Sequence, residues 1–474
     1  MIGILLNHNG FEQDIRELLM AFYPGETFIH EEKEECRFSL MGTYENEIFT
    51  MKFTDQPEIT AQLPYPEGAD RLEIKNEIKR QLYRLLEKRT GKELPWGTLT
   101  GIRPTKIPMA KLEQGWTEEE IFHFMKETYY TSDEKIDLSI EIAKREREIL
   151  APLDYENGYS LYIGIPFCPT TCLYCSFTSY PISKWKGRTG EYLTALFDEM
   201  AYVAEKMAGK TLDTVYFGGG TPTALSHEEL DLLLTKLEEL FDLSHVKELT
   251  VEAGRPDSIT EEKLLVLKKH HVTRISINPQ TMKQKTLDLI GRRHTVEEVK
   301  EKFSLARSLD FDNINMDLII GLPGESLEDV KDTMEEMKAL KPDSITVHSL
   351  AIKRASRLNL LKEQYEHLSC KNPEEMIEVT AKASRELGLE PYYLYRQKNM
   401  AGNFENVGYA LPGKAGIYNI LIMEEKQTIV ACGAGTSTKV VYPQENRLER
   451  VENVKDVDQY ISRLEEMKKK KAFL

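Results

Sequence analysis

One short stretch, YIGIPFCPTTCLYCSF at Tyr162–Phe177, holds Cys168, Cys172 and Cys175. A C-x3-C-x2-C spacing lets a tight loop turn three thiolates toward a single point, which a soft polynuclear iron site accepts. An ordinary iron–sulfur electron carrier takes four cysteines, so this loop would leave one iron free for another ligand. Three thiolates and a water also suit zinc, and a free cysteine is often a small buried hydrophobe. A second stretch, YFGGGTPT at Tyr216–Thr223, offers consecutive glycines. Their backbone can approach a ligand that any Cβ would exclude, or simply pack tightly.

Elements of a definite kind must hold these residues. From Leu161 the chain alternates strand and helix. Strands are predicted at Leu161–Pro166, Thr214–Phe217, Glu248–Glu252, Arg274–Ile277, Asn313–Ile319 and Ser344–Leu350. The helical patterns between them fall at about Trp185–Met207, His227–Phe241, Thr260–His270, Val296–Ser308 and Leu327–Leu340. Such alternation predicts an α/β fold with a parallel sheet buried by crossover helices. Six units fit a partial (β/α)6 barrel over residues 151–350, with reactive groups at the C-terminal strand ends.

The flanking segments differ in texture. Residues 1–150 read as an α+β domain, with strands at Ile2–Leu6, Cys36–Met41 and Glu47–Phe53 and helices at Phe11–Phe22, Asp70–Thr90, Thr117–Thr128 and Asp133–Leu150. Between them LPWGTLTGIRPTKI reads as an irregular loop. Its Arg103 and Lys106 suit an anion or a neighbouring domain, or the loop is solvated and packs Trp96 onto the core. Residues 351–474 read as a C-terminal α+β extension covering the substrate. It has a helix at Pro373–Leu387, a Tyr-, Gly- and Asn-rich loop, strand-like segments to Tyr442 and a final helix Val457–Lys471. The four lysines Lys468–Lys471 that end it suit nucleic acid or a membrane surface, or, more plainly, complete a helix C-terminus.

A chain of 474 residues suggests two or three domains. The formal net charge of -16 argues against nucleic acid held by a general basic surface, and an anionic substrate needs locally placed Arg or Lys. The start MIGILLNHNG lacks the pattern of a signal peptide, and no uncharged apolar run is long enough to span a bilayer. A cytoplasmic protein is expected. Cys36, Cys370 and Cys432 are scattered, so no disulfide framework is expected, and a reducing compartment suits thiolate ligands.

The cysteine spacing, the strand before it, Tyr174 between the last two cysteines and the glycine motif together resemble the radical S-adenosylmethionine (SAM) superfamily. TVEAGRPDS (Thr250–Ser258), TRISINPQT (Thr273–Thr281), LIGRRHT (Leu289–Thr295), NMDLIIGLPGE (Asn315–Glu325) and GAGTS (Gly433–Ser437) resemble its oxygen-independent coproporphyrinogen III dehydrogenase family. The match is closest to the HemZ-type branch, whose extended N-terminal region with GIRPTKI this chain also resembles. The resemblance covers about Leu161 to Tyr442 and implies the partial barrel, a [4Fe-4S] cluster on Cys168, Cys172 and Cys175, and SAM on the fourth iron. It implies SAM contacts at Tyr162, Gly219, Gly220, Thr221, Glu252, Gln280, Arg292, Asp317 and Ala351, each polar one alternatively a capping or barrel-rim hydrogen bond.

By the same resemblance the expected enzyme is an oxidoreductase that turns two propionates of coproporphyrinogen III into vinyl groups. Its electrons come from a low-potential donor such as flavodoxin or ferredoxin. The tetrapyrrole substrate is a flexible macrocycle with four carboxylates, for which Lys353, Arg354, Arg357, Tyr393, Tyr395 and Arg396 are candidates, or they belong to a solvated charged helix and an aromatic core. The chain departs from the pattern at two positions. Gly164 stands where decarboxylases of this family have a histidine, and Phe177 where they have a further cysteine. The Cys-Ser-Phe ending is closer to the related haem chaperones, which have a His-Asn pair where this chain reads Tyr418-Asn419. Haem delivery, or methylation or ring opening of another tetrapyrrole, are the other readings.

Overall fold

The computed structural model describes residues 1–31, 33–351, 357–360, 373–397, 404–445 and 447–474. Cys370 and the candidates Lys353 and Arg354 lie outside the described residues. The chain divides into two compact units, one of residues 1–144 with 394–405, the other of residues 145–393 with 406–474.

In the first unit β1 (Ile2–Leu6) lies between β2 (Phe28–Ile29) and β3 (Phe38–Glu45), parallel to both. An antiparallel meander continues through β4 (Ile48–Phe53) and β5 (Thr60–Pro64). Helices α1 (Glu12–Phe22) and α2 (Arg71–Thr90) cover it, burying Ile15, Leu18, Phe22, Ile78 and Leu82 on Leu40, Phe49 and Phe53. The sequence shows this in the i, i+3, i+4 apolar spacing of α2, capped by Asp70, whose carboxylate accepts from the Leu72 and Glu73 amides. The predicted irregular loop is partly helical: α3 runs from Lys106 to Glu113, before α4 (Glu118–Tyr129) and α5 (Asp133–Leu150). Trp96 is fully buried, its indole N–H donating to Glu405 at 2.8 Å, and the other Glu405 oxygen takes the Lys135 ammonium at 2.8 Å.

The second unit is built on the six predicted strands, which pair in chain order as a parallel sheet. They are β6 (Gly158–Ile165), β9 (Thr211–Gly219), β10 (Glu248–Glu252), β11 (Arg274–Ser276), β12 (Ile314–Ile320) and β13 (Ser344–Ser349). Two short strands, β7 (Phe167–Cys168) and β8 (Tyr180–Pro181), pair with each other beside it. Crossover helices α6 (Thr189–Lys206), α7 (His227–Leu240), α8 (Glu261–Lys269), α10 (Val296–Ser308) and α11 (Leu327–Leu340) separate the strands, with a short α9 (Gln284–Leu289) before α10. Three of the starts, at Ser226, Thr295 and Ser326, are capping boxes, which the S/T-x-x-E/D pattern signals.

The C-terminal segment enters the same sheet. After α12 (Arg357–Leu360) and α13 (Pro373–Glu386), β14 (Glu390–Tyr395) and β15 (Asn406–Ala410) extend it beyond β13, with β15 antiparallel. At the other edge β16 (Thr428–Cys432) lies parallel to β6, followed by β17 (Ser437–Tyr442) and β18 (Arg447–Glu452). Helix α14 (Ile417–Glu424) precedes β16, and the final predicted helix is two, α15 (Val457–Ser462) and α16 (Leu464–Lys470).

The terminal lysines do more than close a helix. Lys471 is 1% exposed and its ammonium meets the Glu199 carboxylate, 0% exposed, at 2.5 Å. Glu199 also accepts from Gly433 N (2.7 Å), Asn453 Nδ2 (2.8 Å) and Tyr460 OH (2.5 Å). A buried carboxylate so held is tolerated because both oxygens are satisfied; removing one partner leaves charge uncompensated. Lys471→Met is therefore expected to cost about 3 kcal/mol of stability, read as a lowered chemical-denaturation midpoint. A loss under about 1 kcal/mol, the size of an exposed pair, would contradict the role.

Candidate functional site

Proline and β-sheet pairing shape the cysteine loop. Phe167 and Cys168 pair in parallel with Tyr180 and Pro181, and Tyr180 N donates to Pro166 O at 2.8 Å, so the two ends of the loop are tied together. Cys175 N donates to Cys172 O at 3.3 Å, which makes the turn between the second and third thiols. The loop is braced from outside by Leu173 N on Ile290 O (2.9 Å).

Arg255, a residue of TVEAGRPDS that sequence reasoning did not single out, is buried against this loop. Its guanidinium donates to Thr170 O (3.1 Å) and Thr170 Oγ1 (3.0 Å) and lies 3.5 Å from Cys172 Sγ. Asp257 fixes it with two bonds of 2.9 and 2.8 Å. Cys175 is reached by the Phe177 backbone N–H and the Ser179 side chain. Among the described residues no three His, Cys, Asp or Glu side chains stand converged on a point that could hold a metal ion; the loop supplies the donor set. Burial, then the neighbouring Cys172 and Cys175, push the Cys168 thiol up to about 12, against the pull of Arg255 and Arg292. Crowded thiols of this kind ionise together only when a soft cationic centre takes them up. With N–H donors already aimed at sulfur, the residues fit an iron–sulfur cluster.

The glycine motif is explained first by protein backbone. Gly220 N donates to Ile165 O and Thr221 N to Phe167 O, both at 2.8 Å, and a Cβ on Gly220 would stand 2.4 Å from Phe167 O. Gly219 has φ +110°, which side-chain-bearing residues rarely adopt. A Cβ on Gly218 would meet the Tyr216 ring at 2.9 Å, Tyr162 OH at 3.1 Å and the Glu252 carboxyl carbon at 3.3 Å. The run of glycines thus seats β9 against the start of the cysteine loop and leaves room for the groups inside.

Those groups form the inner wall. Tyr162 on β6, Tyr216 on β9 and Tyr418 on α14 stack, with centroids 6.0 Å (Tyr162–Tyr216), 4.5 Å (Tyr216–Tyr418) and 6.1 Å (Tyr162–Tyr418) apart and planes within 23°. Tyr216 OH donates to Glu252 Oε1 at 2.5 Å. Burial pushes the Glu252 carboxyl up to about 7; the Tyr216 bond opposes the shift and Asp317 adds to it. Burial also works against Asp317, but hydrogen bonds led by His348 hold it below the ordinary value. His348 Nε2 is 3.8 Å from Asp317 Oδ2, and Asn315 Nδ2 donates to Oδ1 at 2.7 Å.

Gln280 is in the left-handed region (φ 69°), held there by Gln280 N on Asp317 O (3.0 Å) and Ile319 N on Gln280 O (2.8 Å). Its Oε1 is buried with no hydrogen-bond partner among the described residues. Strained backbone and an orphaned acceptor together mark a functional position. Ala351 is half-buried two residues beyond the end of β13.

Other candidates have different surroundings. Arg292 is buried as a strut, with donors on Gly254 O (2.8 Å), Asn278 O (2.7 Å) and Tyr174 OH (3.1 Å). Arg396 departs from the expected substrate contact: it is buried in the first unit, donating to Leu99 O at 2.7 Å and Gly101 O at 3.4 Å, 5.6 Å from the Trp96 ring. Tyr393 is buried at the second unit's edge strand β14, and Arg357 is exposed.

Of the two departures in the cysteine stretch, Gly164 is closely packed. A Cβ on Gly164 would fall 2.5 Å from Thr436 Cγ2, so a histidine there requires Thr436 of GAGTS to shift. Gly433 of the same motif (φ +108°) lies against Gly164 O, and Tyr192 OH bridges Gly164 O (2.6 Å) and Ala434 N (3.2 Å). Phe177, by contrast, is 71% exposed. Arg255, Tyr216, Tyr418 and His348 are the residues that sequence reasoning left out of the site. For Arg255 and Tyr216 the signal was their place inside motifs at strand ends; for the other two only the fold supplies it.

Comparison with known proteins shows the family. Residues 162–337 match the model of the radical SAM superfamily. The chain is 46% identical over 397 residues, 83% of its length and 79% of the relative's, to the oxygen-independent coproporphyrinogen-III oxidase-like protein HemZ of Bacillus subtilis. It is 36% identical over 236 residues to the heme chaperone HemW of the same organism, covering 49% of this chain and 62% of that one. Among solved structures, coproporphyrinogen III oxidase (HemN) from Escherichia coli superposes with a TM-score of 0.54 at 20% identity, covering 66% of this chain and 70% of that one. No helix among the described residues is long and apolar enough to cross a membrane. The chain belongs to the radical SAM superfamily, in the family of HemZ, HemN and HemW, whose cofactors, a [4Fe-4S] cluster and S-adenosylmethionine, are its own.

Proposed function

We propose that this protein is a radical SAM oxidoreductase that oxidatively decarboxylates propionate side chains of coproporphyrinogen III to vinyl groups. Cys168, Cys172 and Cys175 hold the cluster, and Tyr162, Gly219, Gly220, Thr221, Glu252, Gln280, Arg292, Asp317 and Ala351 surround the SAM. Bound together, cluster and SAM supply one-electron reductive chemistry that abstracts a hydrogen atom. Each propionate then gives up that hydrogen from its β-carbon, carbon dioxide and one electron, leaving the vinyl group; an electron acceptor takes the electron. The C-terminal segment covers the substrate side in this reading.

The observation that carries it is the enclosed Tyr162–Tyr216–Tyr418 stack beside Glu252 and Asp317. Stacked phenols exclude water from the reacting centre, the ionised Asp317 accepts from a hydroxyl or ammonium, and Glu252 does so once deprotonated. Similarity to a coproporphyrinogen-III oxidase-like relative over most of both chains supports the substrate class. A haem-carrying role is favoured by the likeness to HemW and by the packed Gly164. Tyr418 weighs against it, since its ring is stacked on Tyr216 where the chaperones offer a histidine.

Anaerobic incubation of the reconstituted protein with SAM, dithionite and coproporphyrinogen III tests the proposal. Substrate-dependent 5'-deoxyadenosine and stepwise loss of one and then two carboxyl groups are expected. Cleavage of SAM with an unchanged porphyrin, or stoichiometric haem binding without turnover, would overturn it.

A further inference from the structure

The outer face of the cysteine loop forms one wall of an open cleft of about 910 Å3. Pro169, Thr170 and Thr171, the residues between the first two cysteines, line it. So do the cations Lys184, Arg293 and Arg357, with Asp288 the acid among its lining residues. Arg292 is the one residue assigned to the SAM that also lines it, whereas Tyr162, Tyr216, Glu252 and Asp317 of the tyrosine-walled interior do not. Lys184 and Arg293 are exposed and make no ion pair or hydrogen bond among the described residues. Nearby Arg188, by contrast, is paired with Glu191 and Asp458. Unpaired cations at one spot are notable in a chain whose formal charge is -16.

From this geometry we infer that the cleft is the docking site of an acidic, low-potential protein electron carrier. The inference rests on the cluster assignment of the loop and names the partner that serves it. The net negative surface repels an acidic protein, so productive encounter needs a local patch of opposite sign, and this patch adjoins the loop that holds the electron's destination. Electron-transfer encounters are small, polar and steered by charge, which an open cationic cleft suits better than an apolar groove does. One electron passes from the reduced carrier to the oxidised cluster, with no bond made or broken. A substrate carboxylate is the competing occupant, but the reacting centre it must reach lies among the interior residues.

The test uses the full-length reconstituted protein and reads cluster reduction directly, by reduced flavodoxin and separately by dithionite. It therefore stands even if the tetrapyrrole assignment fails. For Lys184→Glu/Arg293→Glu the flavodoxin-driven rate is expected to fall at least ~10-fold at low salt, with a much smaller loss for dithionite, a small anion that needs no docking face. Raising ionic strength should slow the unsubstituted protein with flavodoxin but not with dithionite, whose approach to a negative protein salt can only ease. Lys184→Gln/Arg293→Gln, which adds no acid to the surface, should fall in between. Equal loss with both reductants, no loss with either, or a raised coproporphyrinogen KM with unchanged reduction would each overturn the inference.

Discussion

Cys172→Ala protein is expected to take up no iron–sulfur cluster on reconstitution and to form 5'-deoxyadenosine only at background. Cys172 is the most buried of the three thiols and the one beside the Arg255 guanidinium, at 3.5 Å. Alanine leaves two thiols, too few to hold a cube by its protein-bound irons, and leaves Arg255 facing a cavity in place of a thiolate. The loop itself should survive. Its ends are tied by the Phe167–Tyr180 pairing, and Asp257 keeps Arg255 in place, so circular dichroism should be unchanged. Loss of iron and sulfide with the fold intact is thus the signature of a ligand. Iron and acid-labile sulfide equal to those of the unsubstituted protein would sink the assignment, and bound zinc in both proteins would revive the competing metal.

How much of this was legible beforehand follows from the kind of signal each part sends. The six parallel strands and their helices were readable because a buried parallel strand is a continuous Ile- and Val-rich run, and because capping boxes mark helix starts. The three cysteines and the glycine run were readable because their chemistry depends on local spacing. What escaped depends on distant partners. Strands β14, β15 and β18 show no strong alternation of their own, and join the sheet because its open edges need covering. Tyr418 is one apolar-faced helical residue among several until α14 brings its ring to 4.5 Å from Tyr216. Arg396 looked like a carboxylate ligand because a lone Arg in an aromatic stretch suits one; backbone carbonyls at Leu99 and Gly101, some three hundred residues earlier, cannot be seen from its neighbourhood. Lys471 looked like one more cation closing a helix for the same reason, with Glu199 far away in the chain.

Affinity for SAM is expected to rise with pH up to about 7 and then level off, and Glu252→Gln should abolish that slope. Burial raises the Glu252 carboxyl from its ordinary 4.5 to about 7, with Tyr216 opposing the shift and Asp317 adding to it. Tyr216 donates to it, Asp317 opposes its charge, and the Tyr162 and Tyr418 phenols are themselves pushed up by burial and stay neutral. A carboxylate accepts from hydroxyls; a carboxylic acid must first lose its proton. Below pH 7 each unit of acidity therefore weakens binding by about tenfold, and above it by nothing. The sign for folding is opposite. With the folded value above the ordinary one, the cofactor-free protein holds an extra proton between about 4.5 and 7. Its contribution to stability is full below that window and is lost as pH rises through it. Glu252→Gln should thus make cofactor-free stability flatter with pH while weakening SAM binding by about tenfold to a hundredfold above pH 7, the worth of a hydrogen bond to a charged group. Equilibrium dialysis of SAM between about pH 6 and 8 measures both, without turnover. A flat profile in the unsubstituted protein would remove Glu252 from the binding site, and an unaltered slope in Glu252→Gln would move the titrating group to another residue, of which Asp317, already ionised in this range, is not one.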